Sequence, residues 1–168
     1  MMVNEAYIGI GSNIEHRERN IEIALHLIGQ KCLVTKRSSL YETEPIGYKE
    51  QNWFLNGAVG IQTSYNLLEL HTTLQKIEKG MGRIKNVPNG PRIIDLDLLM
   101  YGDLILKSKD LEIPHPRFHE RRFVLVPLHE IASDVVHPIL KKNIDELLQE
   151  LNYIQGNEQD KVQLYRKE

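Results

Sequence analysis

The sequence predicts an α+β fold, an antiparallel sheet with helices packed on it and a helical extension towards the C-terminal end. Three observations predict it. Several segments alternate apolar and polar or small residues, as strands do. Others repeat apolar residues at the spacing of a helix face. Glycine, proline and asparagine separate them. In chain order, Ala6 to Ile10 forms a first strand, and Gly11-Ser12-Asn13 a turn. Ile21, Ala24, Leu25 and Ile28 mark a helix. Leu33 to Tyr41 is a second strand, and Glu42 to Asn52, with Pro45 and Gly47, a polar loop. Phe54 to Gln62 alternates as a third strand. Leu67, Leu70, Leu74, Ile77 and Met81 make a long helical stripe. A second loop, Gly82 to Arg92, leads into a strand that carries Asp95 and Asp97. Strand, helix, strand, strand, helix, strand is the ferredoxin-like split βαβ order, with helices over one sheet face.

Beyond this core, Tyr101 to Leu106 reads as a turn into a short strand. Phe123 to Ala132 reads as a compact helix interrupted by Pro127. Asn143 is placed to cap a last helix that buries Leu147, Leu148 and Leu151. Val162 to Tyr165 has the composition of an edge strand, in a polar tail (156–168) that is expected to be loosely held. With 168 residues the expectation is one domain, 1–168, large enough for a sizeable core. The net charge of −2 does not suit a protein that coats nucleic acid or an anionic membrane. Cys32 is the only cysteine, so no intrachain disulfide forms, and its apolar neighbours mark it as a core residue. The N-terminal residues lack the features of a signal peptide, and no apolar run is long enough to span a bilayer. A cytoplasmic monomer is the expectation.

The most informative segment is Gly90-Pro91-Arg92-Ile93-Ile94-Asp95-Leu96-Asp97-Leu98-Leu99. Alternation puts Asp95 and Asp97 on one face of the strand and Ile94, Leu96, Leu98 and Met100 on the other. Paired carboxylates in an apolar strand repel each other and lose hydration. A hard divalent cation carrying phosphate offsets both costs. Pairing with arginine, or plain exposure to solvent, is the alternative. Arg83, Lys85 and Arg92 lie just upstream, and arginine forks match phosphate oxygens. No glycine-rich lysine loop of the P-loop kind is present.

Two further clusters carry chemistry. Ile113-Pro114-His115-Pro116-Arg117-Phe118-His119-Glu120-Arg121-Arg122-Phe123 concentrates donors beside aromatics, which suits an anion held next to a planar ring, a surface charge cluster being the alternative. Its histidines would suit a transition metal only on a helix, which Pro116 opposes. The loop Tyr41 to Gly47, ending in Gln51-Asn52-Trp53-Phe54-Leu55-Asn56, offers an amide to read a heterocycle edge and an aromatic to stack on its face.

In these segments the chain resembles the 6-hydroxymethyl-7,8-dihydropterin pyrophosphokinase family of folate biosynthesis. The likeness runs from Tyr7 to about Pro138. It rests on Ile8-Gly9-Ile10-Gly11-Ser12-Asn13, Tyr41-Glu42-Thr43-Glu44-Pro45-Ile46-Gly47, Phe54-Leu55-Asn56-Gly57-Ala58-Val59, the aspartate segment and Pro114-His115-Pro116-Arg117. The resemblance implies the ferredoxin-like fold and transfer of pyrophosphate from ATP to the pterin hydroxymethyl group, with AMP released. It implies two Mg²⁺ ions on Asp95 and Asp97. Glu78, Arg83, Lys85, Arg92, His115 and Arg121 match positions of the nucleotide site. Phe54 and Phe123 match aromatics that sandwich the pterin. Asn56 and the backbone of Thr43, Glu44, Pro45 and Ile46 match groups that read its edge. Arg83, Arg92, Asp95 and Asp97 are the catalytic candidates. Asn89 stands where certain relatives carry an aromatic, and Pro88 where a charged residue is common. No synthase or aldolase segment follows, so a single activity is expected. Two rivals remain at this point: an RNA-binding module on the same kind of sheet, and a metal-dependent phosphohydrolase using the same aspartates.

Overall fold

The computed structural model describes residues 2–83, 88–156 and 161–167. Among the described residues eight strands and four α-helices follow one another, with β1 at Asn4–Ser12, α1 at Arg17–Gly29, β2 at Leu33–Arg37, β3 at Tyr41–Thr43, β4 at Phe54–Thr63 and α2 at Leu67–Gly80. Then come β5 at Asp95–Tyr101, β6 at Leu106–Lys107, β7 at Glu112–Ile113, α3 at Arg122–Ala132, α4 at Ile144–Gln155 and β8 at Val162–Leu164. The main sheet is antiparallel in the order β5-β1-β4-β3-β8, and β2 also pairs with β4. Strands β1 and β2 are therefore split by β4, the ferredoxin-like arrangement expected.

Several boundaries differ from the sequence reading. Gly11 and Ser12 are strand, not turn, because β1 stays paired with both β4 and β5 through Gly11. The expected strand from Leu33 to Tyr41 is broken into β2 and β3. The register slips between Val34 and Lys36, and at the break the buried Ser38 hydroxyl takes over a ladder bond, accepting from Ala58 N–H at 2.8 Å. Pro127 lies inside α3 without ending it; its missing N–H leaves the carbonyl of Phe123 without a helical partner.

Alternation sorts the core. Ile8, Ile10, Val59, Leu96 and Leu98 face α1 and α2. Tyr7, Ala58, Leu99 and Met100 face α3 and α4. Met100 thus lies opposite to its expected side. A bulge slips the register so that Tyr7 pairs with Met100 but Ile8 with Leu98, and Leu99 and Met100 both turn to the second face. Helices therefore cover both faces, not one, since the C-terminal extension packs on the second. Asn66 with Glu69 and Asn143 with Glu146 form capping boxes that start α2 and α4. Leu147 and Leu151 are buried by α4, with Leu148 partly so. Cys32 is buried, its thiol 3.5 Å from Thr63 Oγ1. Val162 to Leu164 pairs with β3, as its composition predicts. Among the described residues no helix is long and apolar enough to cross a membrane.

Candidate active site

Helices α3 and α4 cover only part of the second sheet face. The rest of that face carries small or polar side chains. Register sets them in rows: Asp95 beside Gly11, Gly11 beside Asn56, and Asn56 beside Tyr41. The next row sets Asp97 beside Gly9 and Gly9 beside Ala58. Thr43 pairs with Phe54. Cross-strand partners share a face, so the two carboxylates and the Asn56 amide belong to one floor. Two strand spacings, roughly 10 Å, separate the Asp95 and Asn56 backbones. Gly11 keeps the gap open, because a Cβ there would sit on Asn56 Oδ1.

Above this floor is a cleft lined by Thr43, Glu44, Ile46, Phe54, Asn56, Asn89, Gly90, Arg92, Asp95, Asp97, Arg121 and Phe123. The pterin-side candidates are thus brought together apart from Pro45, which is buried and does not line the cleft. Asn56 is only 9% exposed and donates to Thr43 Oγ1 at 2.6 Å, so its Oδ1 keeps capacity for another donor. Arg121 stands over the Phe123 ring at 5.9 Å, bringing a cation and an aromatic to one wall.

The two aspartates have different surroundings. Asp95 is paired with Arg92 Nη1 at 3.0 Å and lies 3.2 Å from Arg83 Nη1. The arginine-paired alternative therefore holds for this carboxylate, although its Oδ1 makes no well-aligned hydrogen bond. Asp97 makes no ion pair or side-chain hydrogen bond among the described residues. Burial, then repulsion from Asp95, push its carboxyl up to about 7, against the pull of Arg83, Arg92 and Arg121. Glu78, only 7% exposed, ties the site to α2: it pairs with Arg83 and accepts from Leu96 N–H at 3.1 Å. A stripe-based reading of α2 passes over this buried acid, since a charged residue on the apolar face breaks the pattern.

The histidine-arginine cluster divides. Phe118 is fully buried in the second core, and Arg117 is exposed beside Glu120. His119 meets the His137 ring edge-on at 6.1 Å. His115 is outside the cleft lining, anchored by its N–H to the Leu99 carbonyl at 2.9 Å. Burial first, and Arg121 second, push its imidazole down to about 4. At neutral pH it offers an uncharged ring N–H rather than a cation. Lys85 lies outside the described residues.

Two residues make links that the sequence does not assign to them, although Gln51 belongs to its amide and aromatic cluster. Asn13 Oδ1 accepts from Arg92 N–H at 2.7 Å, while its Nδ2 donates to Gln51 Oε1 at 2.7 Å and to the Asn52 carbonyl at 3.0 Å. Gln51 Nε2 donates to the Asn89 carbonyl at 2.7 Å. Together they tie the end of β1 to both polar loops. Gly47, at φ 80°, approaches the Asn89 side chain where a Cβ would crowd it at 3.3 Å. Asn13 sits in the quoted Gly-Ser-Asn turn, but nothing in spacing reveals partners so distant along the chain.

Comparison with known proteins identifies the family. Residues 7–133 match the family model described as 7,8-dihydro-6-hydroxymethylpterin-pyrophosphokinase (HPPK). The chain is 48% identical over 136 residues to the 2-amino-4-hydroxy-6-hydroxymethyldihydropteridine pyrophosphokinase of Bacillus subtilis, covering 80% of this chain and 81% of that one. It is 37% identical over 140 residues to the protein of the same name from Aquifex aeolicus, covering 83% and 88%. A triple-mutant HPPK-DHPS of Plasmodium falciparum, solved with pterin and p-hydrobenzoate, superimposes with a TM-score of 0.75 at 18% identity, over 94% of this chain and 46% of that one. At that identity it bears on the fold alone, and this chain spans less than half of it. With the family model matched over most of its length, the chain belongs to the 7,8-dihydro-6-hydroxymethylpterin-pyrophosphokinase family.

Proposed function

We propose that the cleft binds ATP and 6-hydroxymethyl-7,8-dihydropterin side by side and moves pyrophosphate from the first to the hydroxymethyl group of the second, with AMP released. The observation that carries this reading is one floor with two chemistries. The carboxylates and Arg92 lie at one end, and the Asn56 amide with two aromatics, Phe54 and Phe123, at the other, the Asp95 and Asn56 backbones being about 10 Å apart. That span suits a bicyclic ring over Asn56 whose short arm points at a polyphosphate over Asp95 and Asp97.

The donor set fits Mg²⁺ bound with nucleotide. Asp95 Oδ1 is buried with Arg83 nearby but no hydrogen bond, and Asp97 has no ion pair among the described residues, so both retain lone pairs for a hard cation. Among the described residues no three carboxylate, imidazole or thiolate groups converge. Two carboxylates hold Mg²⁺ only with phosphate and water completing its shell, the usual arrangement in nucleotide sites. Bound there, two Mg²⁺ ions would supply charge neutralisation to the phosphates and acidify the attacking hydroxyl.

The remaining work belongs to side chains. Phe54 and Phe123 hold the ring faces, and Asn56 with the Thr43–Ile46 backbone reads its edge. This fixes the hydroxymethyl oxygen for in-line attack at the β-phosphorus. Arg92 and Arg121, with Arg83 behind Asp95, offset the charge that builds on the departing AMP. His115 contributes a neutral donor. The loops joined by Asn13 and Gln51 exclude water, which would otherwise take the phosphoryl group. The chain acts as a soluble enzyme in this reading, with no nucleic-acid partner.

Incubation with ATP, Mg²⁺ and the pterin, each omitted in turn, tests this. AMP forms only with all three present. Phosphate released from ATP alone would instead favour a phosphohydrolase, and salt-sensitive RNA binding without turnover would favour an RNA-binding module.

A further inference from the structure

Strand β8 lies beyond the residues matched by the family model, yet it touches the start of the pterin-side loop. Its partner β3 is only three residues long, with β4 on its other side. The β3–β8 register pairs Tyr41 with Leu164, Glu42 with Gln163 and Thr43 with Val162. The ladder runs on at both ends: Glu44 N–H donates to the Lys161 carbonyl at 3.2 Å, and Tyr165 N–H to the Leu40 carbonyl at 2.9 Å. Hydrogen-bonded pairs alternate in an antiparallel ladder. Glu44 and Leu40 being bonded, Glu42 and Gln163 form the bonded pair between them.

Tyr165 adds a second link. Its ring packs on the first core and carries the Arg17 guanidinium at 6.0 Å. Arg17 in turn pairs with Glu42 and donates to the Trp53 carbonyl at 2.9 Å. The loop from Glu44 to Trp53 is thus held at its start by Lys161 and at its end by Arg17. Glu44 lines the cleft, and Thr43 fixes the Asn56 amide.

The geometry points to residues 161–165 acting as a positioning strap for the pterin half of the site, setting the backbone that reads the ring edge while leaving the nucleotide half alone. The inference rests on the pterin assignment made above. Backbone held in place before binding spares the ligand an ordering cost. Without the strap β3 becomes an edge strand with a free row of N–H and C=O groups.

Gln163→Pro removes the central ladder donor at an exposed position. Tyr165→Ala removes the support under Arg17. Calorimetry on the full chain first measures a non-hydrolysable ATP analogue with Mg²⁺, then the pterin in its presence. Gln163→Pro is expected to weaken pterin binding by roughly tenfold, the ordering cost of one or two side chains, with nucleotide affinity changed less than about twofold. Tyr165→Ala should move the same way by less. Pterin affinity unchanged in both variants overturns the strap, as does a parallel loss of both ligands. If the wild-type chain binds no pterin at all, the proposed function fails, and that outcome is seen before any variant is measured.

Discussion

Replacing Asp97 with Asn should make the ligand-free protein more stable and far less active. The carboxyl has an ordinary value of 3.8 and is pushed up to about 7 by burial and by Asp95. The fold therefore favours the protonated form. Its contribution to stability is fully present below pH 4 and is lost as pH rises through 7, because the unfolded chain releases this proton earlier. A shift of that size corresponds to at most about 4 kcal/mol. Side-chain relaxation and water reduce such interior penalties, so about 1–3 kcal/mol is expected at pH 8. With a urea m-value of about 2 kcal/mol/M, the midpoint should rise by roughly 0.5–1.5 M. The neutral amide has no titration, so the gap should close towards pH 4. Mg²⁺ with ATP should narrow it at pH 8 by stabilising wild type alone, while turnover of the variant falls by about a hundredfold or more. A variant no more stable than wild type at pH 8, or a gap equal at both pH values, would refute the account of Asp97 as a half-buried acid with no ion pair among the described residues.

Arg92→Ala should lower kcat by about a hundredfold and change pterin affinity little; equal losses in both would contradict its placement on the phosphate side. Phe123→Ala removes one wall of the ring slot. Calorimetry should show pterin binding weakened by about thirtyfold, the usual cost of a buried aromatic anchor, with ATP binding spared. Gly11→Ala drives a methyl into Asn56 Oδ1, and overpacking of this kind costs about 1–3 kcal/mol. Thermal unfolding should show that cost along with a raised KM for pterin, and a silent substitution would mean that the floor is looser than described.

Local pattern carried much of this site, and long-range pairing carried the rest. Period-two alternation was enough to set Asp95 and Asp97 on one face, since a strand allows no other outcome over three residues. It failed at Met100, because a bulge is a property of two strands and the β1 side of it, between Tyr7 and Ile8, leaves no mark in either segment alone. Asn143 was readable as a cap because its partner Glu146 is three residues away. Asn13 was not readable as a link between loops, because its partners Gln51 and Arg92 are 38 and 79 residues distant. Glu78 could be tied to the site only through the family resemblance. Its burial depends on Arg83 and the Leu96 N–H arriving together from separate elements. Phe118 and Phe123 have similar neighbours in sequence, yet the turn between them sends one into the core and the other to the cleft wall.

The unequal treatment of the two aspartates follows from where the sheet face is covered. At Leu99 and Met100 the second face is closed by α3 and α4. Two residues earlier the cover ends, and Asp97 sits at that margin, far enough in to lose water but with no arginine paired to it. Asp95, one row further out, is reached by Arg83 and Arg92 from the adjoining loop. Those two arginines are already engaged with carboxylates before any phosphate arrives, so polyphosphate must compete for them. A cation that satisfied Asp95 would lower that competition, whereas free ATP would meet it in full. Binding of nucleotide without a divalent cation should therefore be weaker here than in a site built of unpaired arginines. Replacing Asp95 with Asn, which releases the arginines, should reduce that dependence: calorimetry with EDTA present should show ATP binding the variant more tightly than wild type. Equal affinities would mean that the arginine pairs seen at Asp95 do not restrain the phosphate-binding groups at all.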